Sequence, residues 1–499
     1  MSKRLLGIGL GTLLAACSSV QDNLSKQSLT PPDYWLTEPA DFGLAAEPFE
    51  VVLHSEASFT GYWIPNPEAG GRTVVLFHGG DTNVGSLHPW YRALHDAGFS
   101  VLAFDPRGFG RSKGTPTLRS WIYDLPELFD WLRARPDVDK SKIAFYGTGL
   151  GSVAAMWAAK SQRDCVAMVL EGLPSLREQL RENVDDGSAL GAYTLAFSEF
   201  AGLPEDFEAA DNAPLVKTPA LFISGALEPA RDRRALLTAF DQFGGPRELW
   251  VLPETGAAPH GMSTHDGEYQ RTIAAYLQRQ FEHSAQHLAA DWHKVTTSST
   301  GTNFYEVKIA AQPEQPKEPI AVEAAVISGD EVHFATTWLE GKDAAVRLQL
   351  GAAPTHIGVS RILDAVAADD GTARRQLTPL ARATRAIDPI FPSIETVRFG
   401  QPTADECRKV LDQLIAAEHQ APFPPVIEAE LADIFARIGM TLAESKDATE
   451  RQTAQALLQR ALAAVPEHPE RHFWAGPRTT YGFPQQATID AARRVVVRQ

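Results

Sequence analysis

The stretch Lys142-Ile-Ala-Phe-Tyr-Gly-Thr-Gly-Leu-Gly-Ser152 decides the fold. An apolar run, Ile143–Tyr146, enters Gly147-Thr148-Gly149-Leu150-Gly151 and leaves through an Ala-rich segment, Ser152–Lys160. Strand-forming residues, then glycines that let backbone approach backbone, then helix formers spell strand, sharp turn, helix. In the G-x-S-x-G form of such a turn the central residue carries a reactive hydroxyl. Here the centre is Gly149, which has no side chain.

Outward from this turn, seven more runs read as strands: Phe49–His54, Ser58–Ile64, Arg72–Phe77, Ser100–Phe104, Val166–Leu170, Ala220–Ser224 and Leu249–Leu252. Helical spacing marks Val84–Ala97, Leu118–Arg133, Arg234–Phe243 and Tyr269–Phe281, the last extending toward His287. From the third strand onward strands and helices alternate, and the strands are continuously apolar. Such runs belong to a parallel sheet covered on both faces. The expected class is α/β, with a doubly wound, mostly parallel eight-stranded sheet and a C-terminal β-plus-α extension.

Four motifs in order give this region a family likeness. His78-Gly79-Gly80 follows the third strand and Asp105-Pro-Arg-Gly-Phe-Gly-Arg-Ser112 the fourth. Gly225-Ala-Leu-Glu228 follows the seventh, and Pro259-His260-Gly261 comes after the last. Residues 49–285 resemble the α/β-hydrolase superfamily, in particular its serine peptidase and esterase branch. The resemblance implies a domain over 49–295 with a lid near 173–214. It implies His260 as base, Glu228 as the acid that orients it, and the backbone N–H groups of Gly80 and Leu150 as oxyanion donors. It also places Gly149 at the nucleophile position. The plainer readings are a loop histidine for His260 and a solvated turn carboxylate for Glu228. Thr148 precedes the apex and would point away from where His260 must arrive. Ser152, three residues past the apex, reads as a small residue packed against the sheet, and Asp81 as a turn residue.

The N-terminus is read as targeting. Lys3 and Arg4 precede the apolar run Leu5–Leu14, which is too short to span a bilayer. Leu14-Ala-Ala-Cys17 resembles the bacterial lipobox, which implies a signal peptide over 1–17 and a lipidated Cys17. Polar, Pro-containing residues 18–48 read as a tether. The chain is then expected in the cell envelope, lipid-anchored, and at the outer membrane facing the periplasm if the cell is Gram-negative. A net charge of −16 with no basic cluster excludes nucleic acid as a partner. Cys165 and Cys407, the other two cysteines, read as separate buried thiols, and no metal or organic cofactor is implied.

Beyond a small polar linker, Thr296–Asn303, alternation at Tyr305, Val307 and Ile309 and at Val346, Leu348 and Leu350 predicts a small antiparallel β region over 303–400. Residues 401–499 read as helical. Ile427, Leu431, Ile434, Ile438 and Leu442 share one face, and Leu457, Leu458, Ala461, Leu462 and Val465 another, in a hairpin faintly similar to one tetratricopeptide unit.

Two functions follow. One is a pseudoenzyme: an envelope-anchored binding or scaffold protein, similar in its Gly apex to the neuroligins. It would touch the membrane through Cys17, hold a small acyl or anionic ligand in the old cleft, and meet a protein partner through its C-terminal region. The other is an atypical ester or amide hydrolase using water activated by His260 or an unrecognised nucleophile. The sequence leaves open whether the chain is an enzyme.

Overall fold

The computed structural model describes residues 25–26, 28–31, 37–162, 165–184, 203–204, 206–256, 261–283, 287–297, 303–312, 316–363, 365–367, 373–375, 378–464 and 486–498. One sheet organises the N-terminal half. Its strands are β1 (Glu47–Val52), β2 (Ser58–Ile64), β3 (Thr73–Phe77), β4 (Ser100–Asp105), β5 (Ile143–Thr148), β6 (Cys165–Glu171), β7 (Ala220–Gly225) and β8 (Arg247–Leu252). Their spatial order is β1-β2-β4-β3-β5-β6-β7-β8. Strands β3 to β8 run parallel, β2 is antiparallel to β4, and β1 is antiparallel to β2. Every expected strand is present, with ends shifted by no more than two residues.

Alternate residues of these strands serve opposite layers. Val75, Phe77, Leu102, Phe104 and Phe145 pack under the helices Leu118–Tyr123, Leu125–Ala134 and Leu150–Ser161. Val74, Leu76, Val101, Ala103, Ala144 and Tyr146 face His88–Asp96 and Gly261–Phe281. Covering on both faces is why β3, β4 and β5 are buried along their whole length.

Three expectations change. The last helix of this half begins at Gly261 rather than Tyr269, and it does not extend toward His287. His283 takes a left-handed φ of 53°, and His287 opens a strand. That strand, β9 (His287–Thr297), pairs with β10 (Asn303–Gln312), so the stretch expected as a linker is their connection and the β region starts before residue 295. The described part of 18–48 is not a free tether. Leu29 is buried, Thr30 N–H donates to the Gly80 carbonyl (2.7 Å), Ser25 Oγ accepts from Leu118 N–H (3.1 Å), and Phe42 stacks on His88. Residues 1–17, including Cys17, lie outside the described residues.

The β region has two three-stranded antiparallel sheets. β10 sits between β9 and β13 (Asp343–Leu350), and β11 (Ile320–Ser328) sits between β12 (Glu331–Leu339) and β14 (His356–Arg361). Val307, Ile309, Val322, Ala324 and Val326 share one cluster, as the alternation requires. The other face of β11 and β12 reaches the first domain: Ala325 and Ile327 join its core, with Val332 and Phe334 packed against it. Helices begin at Pro379, inside the span expected to be β. In the helical region Ile434, Ile438 and Leu442 meet Leu457, Leu458 and Ala461 as the sequence pattern requires, while Val465 lies outside the described residues.

Candidate active site

The carboxyl ends of β3, β5, β6, β7 and β8 lie along one edge of the sheet, where open α/β sheets form their crevice. At the end of β5 the chain turns sharply. Gly149 has φ 54° and ψ −124°, and the helix Leu150–Ser161 begins at the next residue. The three glycines of the turn have different reasons to be glycine. A Cβ on Gly147 would fall 2.6 Å from the Gly151 carbonyl oxygen, and one on Gly151 would fall 2.2 Å from the Phe77 carbonyl oxygen. Both are excluded by backbone. A Cβ on Gly149 would meet no described atom within 4 Å. Packing therefore demands the flanking glycines and leaves the apex open.

Ser152 Oγ donates to the carbonyls of Gly147 (2.7 Å) and Glu171 (3.2 Å) and is fully buried, so it ties the turn together. Leu150 is the first residue of its helix, and its N–H has no intrahelical acceptor. Gly80 lies beside it: a Cβ there would fall 2.9 Å from Leu150 Cδ1 and 2.3 Å from the Ser28 carbonyl oxygen. The turn after β3 thus contacts both the elbow and the N-terminal strap. His78 and Asp105 brace it from below, with His78 Nε2 3.3 Å from Asp105 Oδ1 and Val84 N–H donating to that same oxygen (2.8 Å).

Glu228 follows β7 as expected, but it is not a solvated turn residue. Its carboxyl is buried and hydrogen-bonded to Ser224 Oγ (2.6 Å). Burial pushes its pKa up to about 8; the Ser224 hydrogen bond and the Arg233 charge oppose this, while the Asp232 and Glu171 charges add to it. At neutral pH it is mostly uncharged and a weak counter-charge for an imidazolium.

The sequence reading missed Glu171, the last residue of β6. Its carbonyl accepts from Gly149 N–H (2.9 Å), and so holds the apex. Its carboxylate collects a chain of donors. Trp90 Nε1 donates to Tyr146 OH (2.7 Å), Tyr146 and Tyr269 hydroxyls lie 2.6 Å apart, and Tyr269 OH donates to Glu171 Oε2 (2.6 Å). Gly261 N–H donates to Oε1 (2.9 Å). Both carboxyl oxygens therefore accept hydrogen bonds. Burial and the Glu171 charge push both phenol pKa values well up, which keeps their protons in the chain. Gly261 must be glycine, because a Cβ there would fall 2.4 Å from Tyr269 Cε2 and 2.7 Å from Glu171 Oε1.

Gly261 directly follows His260, which lies outside the described residues, as do 185–202 of the expected lid. The C-terminal helices grip both sides of this loop. Asp388 Oδ2 accepts from Gly256 N–H (2.7 Å), and Arg385 pairs with Glu254 (2.8 Å) and reaches His265 Nδ1 (3.2 Å).

Sheet order, elbow and the motif-bearing strand ends together decide the architecture. The domain has the α/β-hydrolase fold. Residues 70–184 match the family model for serine aminopeptidase, S33. An uncharacterised protein of Mycobacterium tuberculosis is 35% identical over 124 residues, which is 24% of this chain and 44% of that protein. The chain thus spans less than half the length of that relative. The uncharacterised protein YfhR of Escherichia coli O157:H7 is 28% identical over 49% of this chain and 82% of its own length. The lysophosphatidylserine lipase ABHD12 of Mus musculus is 29% identical over 24% of this chain and 32% of its own. Among solved structures, the Pyrococcus furiosus esterase Pf2001 aligns over 51% of this chain and all of that one, with 20% identity and a TM-score of 0.42. Among the described residues of this α/β-hydrolase chain no group of metal-ligating side chains is assembled, and no helix is long and apolar enough to cross a membrane.

Proposed function

We propose that this protein is a cell-envelope α/β-hydrolase-fold binding protein, anchored through lipidated Cys17, that accepts an acyl group with an anionic head and forms no acyl-enzyme. The observation that carries this reading is the apex of the elbow. Gly149 keeps the backbone conformation and the open space of a nucleophile position while bearing only hydrogen there. In a related triad, losing the serine costs about 10⁶ in turnover. What the turn retains suits binding. The N-terminal N–H groups and dipole of a twelve-residue helix, Leu150–Ser161, favour an anion.

The strap supports a lipid-like ligand. Ser25 is docked on the domain eight residues after Cys17, and eight extended residues reach about 27 Å at most. An anchor at Cys17 would therefore hold the domain close to a bilayer. The name of the relative ABHD12, a lysophosphatidylserine lipase, points to the same class: one acyl chain with a charged head.

A second reading is favoured by Glu171. Its carboxylate holds the residue after His260, which is where an orienting acid would act. His260 would then serve as general base for a water above Gly149, with Glu171 rather than Glu228 as its partner. Lysophosphatidylserine offered to the purified protein separates the two. Binding without release of free fatty acid supports the first reading. Steady release that His260→Ala abolishes overturns it in favour of the second.

A further inference from the structure

A second cavity lies behind the sheet, away from the elbow. It has a volume of about 300 Å³ and forms where the β region docks on the hydrolase domain. Leu221 and Trp250 of β7 and β8 line one side, Tyr276 and Arg279 of the helix Gly261–Phe281 another, and Leu288 and Val359 of β9 and β14 close it. The two edge strands β8 and β14 approach closely here: a Cβ on Gly358 would fall 2.8 Å from the Leu249 carbonyl oxygen.

The wall is chemically incomplete. Trp250 Nε1, Thr272 Oγ1, Tyr276 OH and Arg279 Nε are all buried, line the cavity through their residues, and have no hydrogen-bond partner. Trp250 and Tyr276 are each only 2% exposed. Most buried polar atoms are satisfied, so four without partners in residues around one cavity need an explanation. Two of them, Trp250 Nε1 and Arg279 Nε, can only donate, and the hydroxyls can donate as well.

Charge adds direction. Arg279 spends Nη2 on both oxygens of Glu248 (3.1 Å each). Arg361, at the mouth, has no ion pair among the described residues. Partial burial and the facing Arg279 charge push its pKa down, a repulsion that an anion placed between the two would relieve. Glu282 also stands on the lining, so the cavity carries two cationic and two anionic side chains. With Arg279 offset by Glu248, Arg361 is the cation of the lining left open to a guest, which limits the cavity to a singly charged anion.

We propose that this cavity binds an amphipathic monocarboxylate, its head between Arg361 and Arg279 and its chain along Leu221, Leu288 and Val359. The site is separate from the elbow cleft and does not depend on what the cleft does. Ligands that bind only the docked arrangement would also fasten the β region to the hydrolase domain.

The test is calorimetric titration of the full chain carrying Cys17→Ser with decanoate as probe. A saturable site is expected that Arg361→Gln weakens at least tenfold; decanoate held at the elbow would add a second site that Arg361→Gln leaves unchanged. Leu363→Trp, a change at an exposed residue of the mouth, should have the same effect by filling the entrance while leaving the melting temperature unchanged. Decanol and inorganic phosphate should each bind at least tenfold more weakly than decanoate. Equal decanoate affinity in wild type and both variants places the carboxylate elsewhere and overturns the proposal. Decanol binding as tightly as decanoate removes the anion from it and overturns it equally.

Discussion

A methyl group added in turn to each glycine of the elbow tests how this site is built. At Gly149 the added carbon meets no described atom within 4 Å, so the cost is conformational only. A non-glycine residue held at φ 54° and ψ −124° costs about 1–3 kcal/mol. Restricting the unfolded chain returns about 0.4–1 kcal/mol. Gly149→Ala should therefore lower stability by roughly 0–2.5 kcal/mol. At Gly151 the same carbon lands 2.2 Å from one backbone oxygen and 2.5 Å from another, those of Phe77 and His78. Backbone cannot rotate aside as a side chain can, so β3 or the helix must move. Overpacking on that scale costs at least about 1–3 kcal/mol, with the positive-going strain of a shifted sheet added. Gly147→Ala belongs with Gly151→Ala. Urea unfolding followed by circular dichroism should rank Gly149→Ala as the most stable of the three. Equal damage at all three positions would refute the claim that the apex is glycine for reasons other than packing. Gly149→Ser then asks whether a hydroxyl at the apex is reactive. Wild type should not react with a fluorophosphonate, and the serine variant should label covalently and hydrolyse a short acyl ester. A folded Gly149→Ser that does not label would mean that base or oxyanion donors have also gone.

Four further outcomes are expected. In the Gly149→Ser background, Glu171→Gln should slow fluorophosphonate labelling at least a hundredfold and Glu228→Gln less than tenfold; the reverse order would return the acid role to Glu228. Glu228 has a folded-state pKa raised from 4.5 to about 8, so its protonated form stabilises the fold fully below pH 4.5, and that contribution fades at about 1.4 kcal/mol per pH unit until pH 8. Glu228→Gln should therefore leave stability unchanged at pH 4 and raise it by a few kcal/mol at pH 9, and parallel urea curves at both pH values would contradict this. Leu29→Ala should undock the strap without unfolding the domain, read as loss of hydrogen-exchange protection at the Thr30 amide, which now donates to Gly80. Asp388→Ala leaves the buried Gly256 N–H without its carboxylate and should cost about 1–3 kcal/mol in urea unfolding.

The sheet was legible because a parallel strand buried on both faces must be apolar at every position, and such runs stand out between polar helices and turns. β5 and β4 show this directly. The strap was not legible. Its anchorage is Leu29 and Phe42 in a polar stretch, a main-chain hydrogen bond from Thr30 to Gly80, and the Ser25 hydroxyl accepting from Leu118 N–H, none of which forms a periodic pattern. The first turns of the helix at Gly261 were hidden for a similar reason. Gly261 and Gly267 are poor helix formers, and Gly261 is present because Tyr269 and Glu171 leave no room for a Cβ. β9 was hidden behind the end of that helix, which closes with a left-handed turn at His283 four residues before the strand begins.

Glu171 was passed over because the apolar run of β6 ends at Leu170, and a charged residue after it looks like the edge of the strand. Its position is the signal that was there to be read: a carboxylate at the carboxyl end of a central parallel strand, one residue before Gly172, faces the crevice where such sheets do their chemistry. It connects both halves of the site through one residue. Its carbonyl fixes Gly149 and its carboxylate fixes Gly261. Neither bond involves a side chain of the apex residue, so the geometry of the turn does not depend on one. An elbow can keep its full geometry with hydrogen at the apex because the geometry is held from β6.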